Sequence, residues 1–253
     1  MTTYNKNFLT NVVYRLDFSD LEEFNDLAKL NVIYESIKEV FPVKNIGKSV
    51  ENYMSIDLAT NRSSTIQQDL SQLVCNSNDK KKRIMLNKRL LVVELSNYSY
   101  TNLCDFLSII DKVHIAITGL KDKLKIKRMG VRYVNQIEID EGKPFENSNM
   151  INENLTTKEI KFFTKDFQNK MNRSLSQTSF ILDDYQVIFT NGYINSQFPA
   201  PILKNEYSVD IDCSTMSCEF DNIGSIVKKM VTETIYPLFE YSINDGLRKI
   251  MGI

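Results

Sequence analysis

The chain has 253 residues, 42% of them hydrophobic and 25% charged, and its 31 basic and 32 acidic residues give a net charge of −1. That length holds one large domain or two joined halves, and the composition excludes a disordered or fibrous chain. The balanced charge supplies no global field for nucleic acid or an anionic membrane, so either partner would need a local patch.

In chain order, Thr10–Phe18 reads as a strand, with Val12, Tyr14, Leu16 and Phe18 on one face and Val13, Arg15 and Asp17 on the other. Ser19-Asp20 supplies a helix cap. The stripe Leu21, Phe24, Leu27, Ile33, Ile37 and Val40 then predicts a helix that Pro42 ends, with a break expected at Asn31. Residues 51–60 alternate as a strand, whereas 62–75 fit either a further strand or a short helix. A charged loop over 76–82 precedes a hairpin, Arg83–Leu86 and Leu90–Ser96, around Asn87-Lys88. Leu103, Phe106, Leu107, Ile110, Ile117 and Leu120 predict a helix over about Tyr100–Lys123.

The stretch 126–140 is a long strand at the midpoint of the chain. Met129, Val131, Tyr133, Ile137 and Ile139 face one way, and Arg128, Gly130, Arg132, Gln136 and Glu138 the other. A polar connector (141–155) leads to a short helix capped by Thr156 or Thr157. Strands follow at Leu175–Leu182, Tyr185–Tyr193 and Tyr207–Cys213, with a rigid turn at Phe198-Pro199-Ala200-Pro201 between the last two. The final element is a helix over about Phe220–Met251 that Pro237 should kink or divide.

The order of elements repeats at residue 125. Ala116–Leu124 echoes Ser242–Ile250 with one insertion, and Leu91–Leu95 parallels Tyr207–Ile211. The expected fold is therefore α+β, with two pseudo-repeated halves (1–124 and 125–253) forming one unit. Its sheet is largely antiparallel, with the long helices packed mainly on one face.

Arg128-x-Gly130-Val131-Arg132-Tyr133-Val134-Asn135-x-Ile137 resembles the R-x-G-(L/V)-R-Y-(I/V)-N-x-I signature of a sporadically distributed prokaryotic family of uncharacterised proteins. The strand Val13–Phe18 and the tail Phe239–Arg248, similar to F-x-x-x-I-(T/N)-D-x-(L/F)-R, extend the resemblance over nearly the whole chain. It implies no activity, cofactor or catalytic residue. It implies a context, that of phage-defence or toxin–antitoxin type loci. The tandem plan is also similar in topology to the TATA-binding-protein saddle and to helix-grip folds.

For chemistry, Arg15, Asp17, Arg128, Arg132, Asp210 and Asp212 alternate outward on three strands. Arg128 and Arg132 could clamp a phosphate or carboxylate, with Gly130 allowing close approach, but a row of cross-strand Arg–Asp pairs is the favoured reading. Asp210 and Asp212, with Asp183 or Asp184, could instead hold Mg²⁺ in a metal-dependent nuclease; plain surface carboxylates are favoured. His114 lies at the margin of a helix stripe and reads as structural. Four cysteines without C-x-x-C spacing, and a single histidine, make no zinc set. The basic segments Lys80–Arg83 and Lys121–Lys127 lack interleaved aromatics and read as solvated charge.

Around Pro237, Tyr236, Phe239, Tyr241 and Ile243 offer apolar surface to this chain's own core or to a second subunit. The expectations are a cytoplasmic, non-enzymatic interaction or regulatory protein with no catalytic residue, metal or cofactor. It would bind a protein partner or itself as a homodimer, with nucleic acid less favoured and no membrane contact. A ligand- or nucleic-acid-binding sensor using the Arg-rich face is the alternative.

Overall fold

A computed structural model describes residues 4–57, 62–139, 149–160, 166, 171–200, 202, 204–216 and 218–252. The chain is α+β. Nine strands form one sheet: β1 (Leu9–Phe18), β2 (Val43–Asp57), β3 (Arg62–Asn76), β4 (Lys82–Asn87), β5 (Leu90–Ser96), β6 (Ile126–Glu138), β7 (Ser174–Ile181), β8 (Gln186–Ile194) and β9 (Glu206–Thr215). Their order across the sheet is β2-β3-β4-β5-β1-β6-β9-β8-β7, and every neighbouring pair is antiparallel. The first strand of each sequence half therefore lies at the centre, β1 against β6, each flanked by the last strand of its own half.

Period-2 alternation gives this sheet one apolar face. Tyr14 stands opposite Val93 of β5 and Val131 of β6, and Val131 opposite Cys213 of β9. Leu16 stands opposite Leu91 and Met129, and Val12 opposite Leu95 and Tyr133. All of these are buried, and they share one hydrophobic cluster with Leu30, Ile33, Phe106, Ile110, Val227 and Leu247 from the helices. Burying each such side chain contributes roughly 1.5–3 kcal/mol.

Among the described residues the helices are α1 (Leu27–Ile37), α2 (Leu103–Ile117), α3 (Glu153–Ile160), α4 (Ile223–Met230), α5 (Tyr236–Ser242) and α6 (Asp245–Met251). The first differs from the expected one. The chain divides at Asp26, not Asn31, leaving a 3₁₀ turn over Glu22–Asn25 ahead of α1. Asp26 is extended, and its carboxylate accepts from the Ala28 N–H at 2.9 Å, so it supplies the cap expected of Ser19-Asp20. Asn31 stays within the helix and donates to the Leu27 carbonyl.

Residues 62–75 are strand, because they pair residue for residue with β2. Only Gln72–Asn76 also pair with β4, so the β2–β3 ribbon runs on past the sheet. Asn102 caps α2 by accepting from the Asp105 N–H, and α2 gives way at Thr118 to a 3₁₀ turn over Thr118–Lys123. The helix α3 begins at Glu153, ahead of the expected Thr156 or Thr157. Residues 141–148 of the expected connector, most of 161–168 and Pro201 lie outside the described residues.

The C-terminal helix is divided more than Pro237 alone predicts. A π-helical turn, Val231–Ile235, joins α4 to α5, and Pro237 occupies the first turn of α5, where its missing N–H is tolerated. A second break follows, where Ile243 is extended and bridges to Ile151, and Asn244 donates its N–H to the Met150 carbonyl.

Gly192 in β8 has φ +145, and a Cβ there would lie 2.0 Å from the Ser174 carbonyl oxygen of β7. Gly192→Ala should lower unfolding stability by about 2–3 kcal/mol. Gly119→Ala, where a Cβ meets nothing within 4 Å, should stay within about 0.5 kcal/mol. Denaturant midpoints check both, and equal midpoints for the two variants would contradict the close β7–β8 approach.

Candidate functional site

The six outward Arg and Asp residues come together because β1, β6 and β9 are consecutive in the sheet. Asp17 stands opposite Arg128, Arg15 opposite Gly130, and Arg132 opposite Asp212. Pairing does not simply follow these opposites. Arg132 leans along the strand and donates two hydrogen bonds to Asp210, Nε to Oδ1 at 2.8 Å and Nη2 to Oδ2 at 2.5 Å. Arg15 folds back onto its own strand, with Nε and Nη2 donating to Asp17 Oδ1 at 2.9 and 2.7 Å. Both are bidentate or forked charge-assisted contacts, the strong kind.

Arg128 differs. Its guanidinium lies between Asp17 and Asp212 at 3.7 and 3.6 Å, within ion-pair range but beyond hydrogen-bonding distance. It rests over Gly130, where an added Cβ would come within 3.2 Å of its nitrogens. Glycine is what lets the guanidinium lie flat on the strand. Together with Val13, Arg15, Asp17, Arg132 and Asp212, these two residues line a shallow dish of about 470 Å³ on the open sheet face.

Burial raises the Asp212 carboxyl above its usual value, against the opposing pull of Arg128 and Arg132. The hydrogen bonds that Arg132 donates to Asp210 hold its guanidinium more firmly protonated, above its usual value. Asp210 and Asp212 are thus committed to arginines. Asp183 and Asp184 sit apart from them, in the turn between β7 and the edge-neighbouring β8. Among the described residues no group of three Asp, Glu, His or Cys is spaced to hold a metal ion.

The four C-terminal candidates are split. Phe239 and Ile243 are buried within this chain, Tyr236 is half-buried, and Tyr241 is 51% exposed. Of the cysteines, Cys75 and Cys213 are buried and Cys104 is exposed; burial pushes the thiol of Cys213 up to about 12 and those of Cys75 and Cys218 up to about 11. In the second basic segment Lys121 pairs with Asp221 and Lys123 with Glu23. No helix is long and apolar enough to cross a membrane among the described residues.

One place went unmarked in the sequence. Behind the sheet, a cavity of about 120 Å³ lies between β6, the start of α2 and the π turn. Its aromatic wall is formed by Tyr100 and Tyr133, whose rings meet edge to face at 5.3 Å and whose hydroxyls hydrogen-bond at 3.2 Å. A tyrosine on the core face of a strand, where phenylalanine would pack without needing a partner, is the only sequence signal for it.

His114 is buried, shares a 2.9 Å hydrogen bond with the Tyr14 hydroxyl and stacks obliquely on Phe220. Burial lowers its pKa from 6.5 to about 4. The unfolded chain therefore takes up the proton first as pH falls. Stability contributed by neutral His114 is complete above pH 6.5 and is lost on the way down to about pH 4. His114→Gln should flatten that loss by up to about 3 kcal/mol, measured as the difference in unfolding free energy between variant and wild type across the window. Parallel curves would show that the imidazole is not desolvated in the folded state.

No family model matches the chain, and no curated protein matches it.

Proposed function

We propose that the chain is a non-enzymatic interaction protein that offers the open face of its sheet to a protein partner or to a second copy of itself. The observation that carries this reading is the charge pattern at the sheet centre. Three arginines and three aspartates alternate over β1, β6 and β9, and Arg15 and Arg132 keep about half of their side-chain surface in solvent. A balanced pattern gives register and selectivity toward another balanced surface, whereas a polyanion would meet as much repulsion as attraction. About a twofold axis such a pattern is also self-complementary, so a homodimer satisfies it.

The sheet order supports reading the chain as two repeats, 1–124 and 125–253. The echoed strands β5 and β9 each lie next to the first strand of their own half; the first half closes on α2 and a 3₁₀ turn, the second on α5 and the short helix α6. The burial of one sheet face supports helices packed mainly on that face. If the central motif's resemblance to the sporadically distributed prokaryotic family holds, the proposed interaction would be a regulatory one at a phage-defence or toxin–antitoxin type locus.

A second reading rests on Arg128. It makes no hydrogen bond among the described residues while lining the dish, so its donors are open to a phosphate or carboxylate of a ligand or nucleic acid.

Light scattering and affinity capture with the full chain test the first reading. The wild type should dimerise or retain a protein partner. The Arg15→Ala/Arg132→Ala double variant should weaken that association about tenfold while keeping its thermal midpoint within a few degrees. A chain that stays monomeric and retains no partner overturns it. Phosphate binding abolished by Arg128→Ala would favour the second reading in its place.

A further inference from the structure

The cavity behind the sheet supports an inference that does not depend on the open face. We propose that it is a binding site for a small uncharged aromatic molecule carrying one hydrogen-bond acceptor, of about the size of phenol.

Size sets the first limit. The space is about 120 Å³ and opens partly to solvent; it is somewhat smaller than the roughly 150 Å³ of a closed cavity that holds benzene, which limits an occupant to a single ring. Charge sets the second. The side chains lining the cavity are aliphatic, aromatic, amide or hydroxyl, with no ionised group among the described residues. An ion entering it would lose its water with nothing of opposite sign to receive it.

The third limit comes from counting protons. Tyr133 donates its hydroxyl to Tyr100 at 3.2 Å, and that single bond uses one of the two phenolic protons. The Tyr100 proton has no acceptor among the described residues. Burial raises the pKa of both hydroxyls, so both stay protonated near neutrality. Asn7 donates to the Tyr100 carbonyl and Asn102 to the Asp105 carboxylate, and neither accepts from Tyr100. The Tyr100 proton is thus left over, and it calls for an acceptor on the ligand.

The opposite wall is Val231, Ile235 and Phe239, all at least nine-tenths buried. Val231 and Ile235 are the two ends of the π turn, a rare irregularity that is frequent at functional sites. Tyr100, Tyr133 and Phe106 already meet edge to face at 5.3–6.2 Å, the geometry in which a further ring would join them.

Ligand-observed NMR and calorimetry on the full chain, with phenol, toluene and benzoate as probes, test this. Phenol should bind with a Kd on the order of a millimolar. Toluene, which has the ring without the acceptor, should bind about tenfold more weakly, and benzoate not at all. Val231→Phe, which fills the space, should abolish phenol binding in a folded chain. Tyr100→Phe/Tyr133→Phe, which removes both phenolic protons, should bring phenol binding down to about the level of toluene. Absence of phenol binding to the wild type overturns the proposal. So does undiminished binding in folded Val231→Phe. If Val231→Phe does not fold, an undiminished preference for phenol over toluene in Tyr100→Phe/Tyr133→Phe overturns it instead.

Discussion

The antiparallel pairing of β1 with β6 is the constraint on which the rest of the molecule depends. These strands carry opposite chemistry on alternate residues, with Tyr14, Leu16, Met129, Val131 and Tyr133 on one face and Arg15, Asp17, Arg128 and Arg132 on the other. A slip of one residue would carry every apolar side chain to water and every charge into the core. At roughly 1.5–3 kcal/mol for each buried side chain, no number of surface contacts could compensate. The register is therefore fixed by burial, and the charged face inherits its geometry from a decision made on the opposite side of the sheet.

That order of causes explains the character of the Arg–Asp lattice. Exposed ion pairs are worth about 0–1 kcal/mol each, too little to define a fold. Their arrangement follows local reach. Arg132 passes over the directly opposite Asp212 to fork onto Asp210, and Arg15 turns back to Asp17 two residues along its own strand. Arg128 is left between two carboxylates at 3.6 and 3.7 Å, held by charge without a hydrogen bond. The lattice thus combines two fixed arginines and one loose one, and the loose one lies over the only glycine of β6.

Much of this was legible from residue types, for reasons that also mark where reading stopped. Alternation identified β1, β5, β6 and β9, since each buries one face, and it showed which arginines and aspartates point outward. It could not show that Arg132 would choose Asp210 over Asp212, because that choice depends on side-chain reach across a formed sheet. Residues 62–75 were ambiguous because Ser63-Ser64-Thr65-Ile66-Gln67-Gln68 has no period; what makes them strand is their partner, β2. Asp26 outcompeted Ser19-Asp20 as a cap once Leu21 and Phe24 were buried ahead of it. The cavity was hidden for another reason. Tyr100, Tyr133 and Ile235 are far apart in sequence, and each reads as ordinary core.

Pro237 links the irregular helix to that cavity. A proline at this position removes the bond to the carbonyl four residues back and crowds it with the ring. A straight helix from Ile223 to Ser242 would suffer both, and the widened turn over Val231–Ile235 accommodates the ring instead. The widened turn also forms part of the cavity wall, through its two end residues, Val231 and Ile235. The cavity opens partly to solvent, so water wets it when nothing else occupies it. Departures from local rules are found mainly where function requires them. The proline thus accounts for the π turn, the π turn supplies part of the cavity wall, and the proposed occupant would fill the space beside it and accept the tyrosine proton.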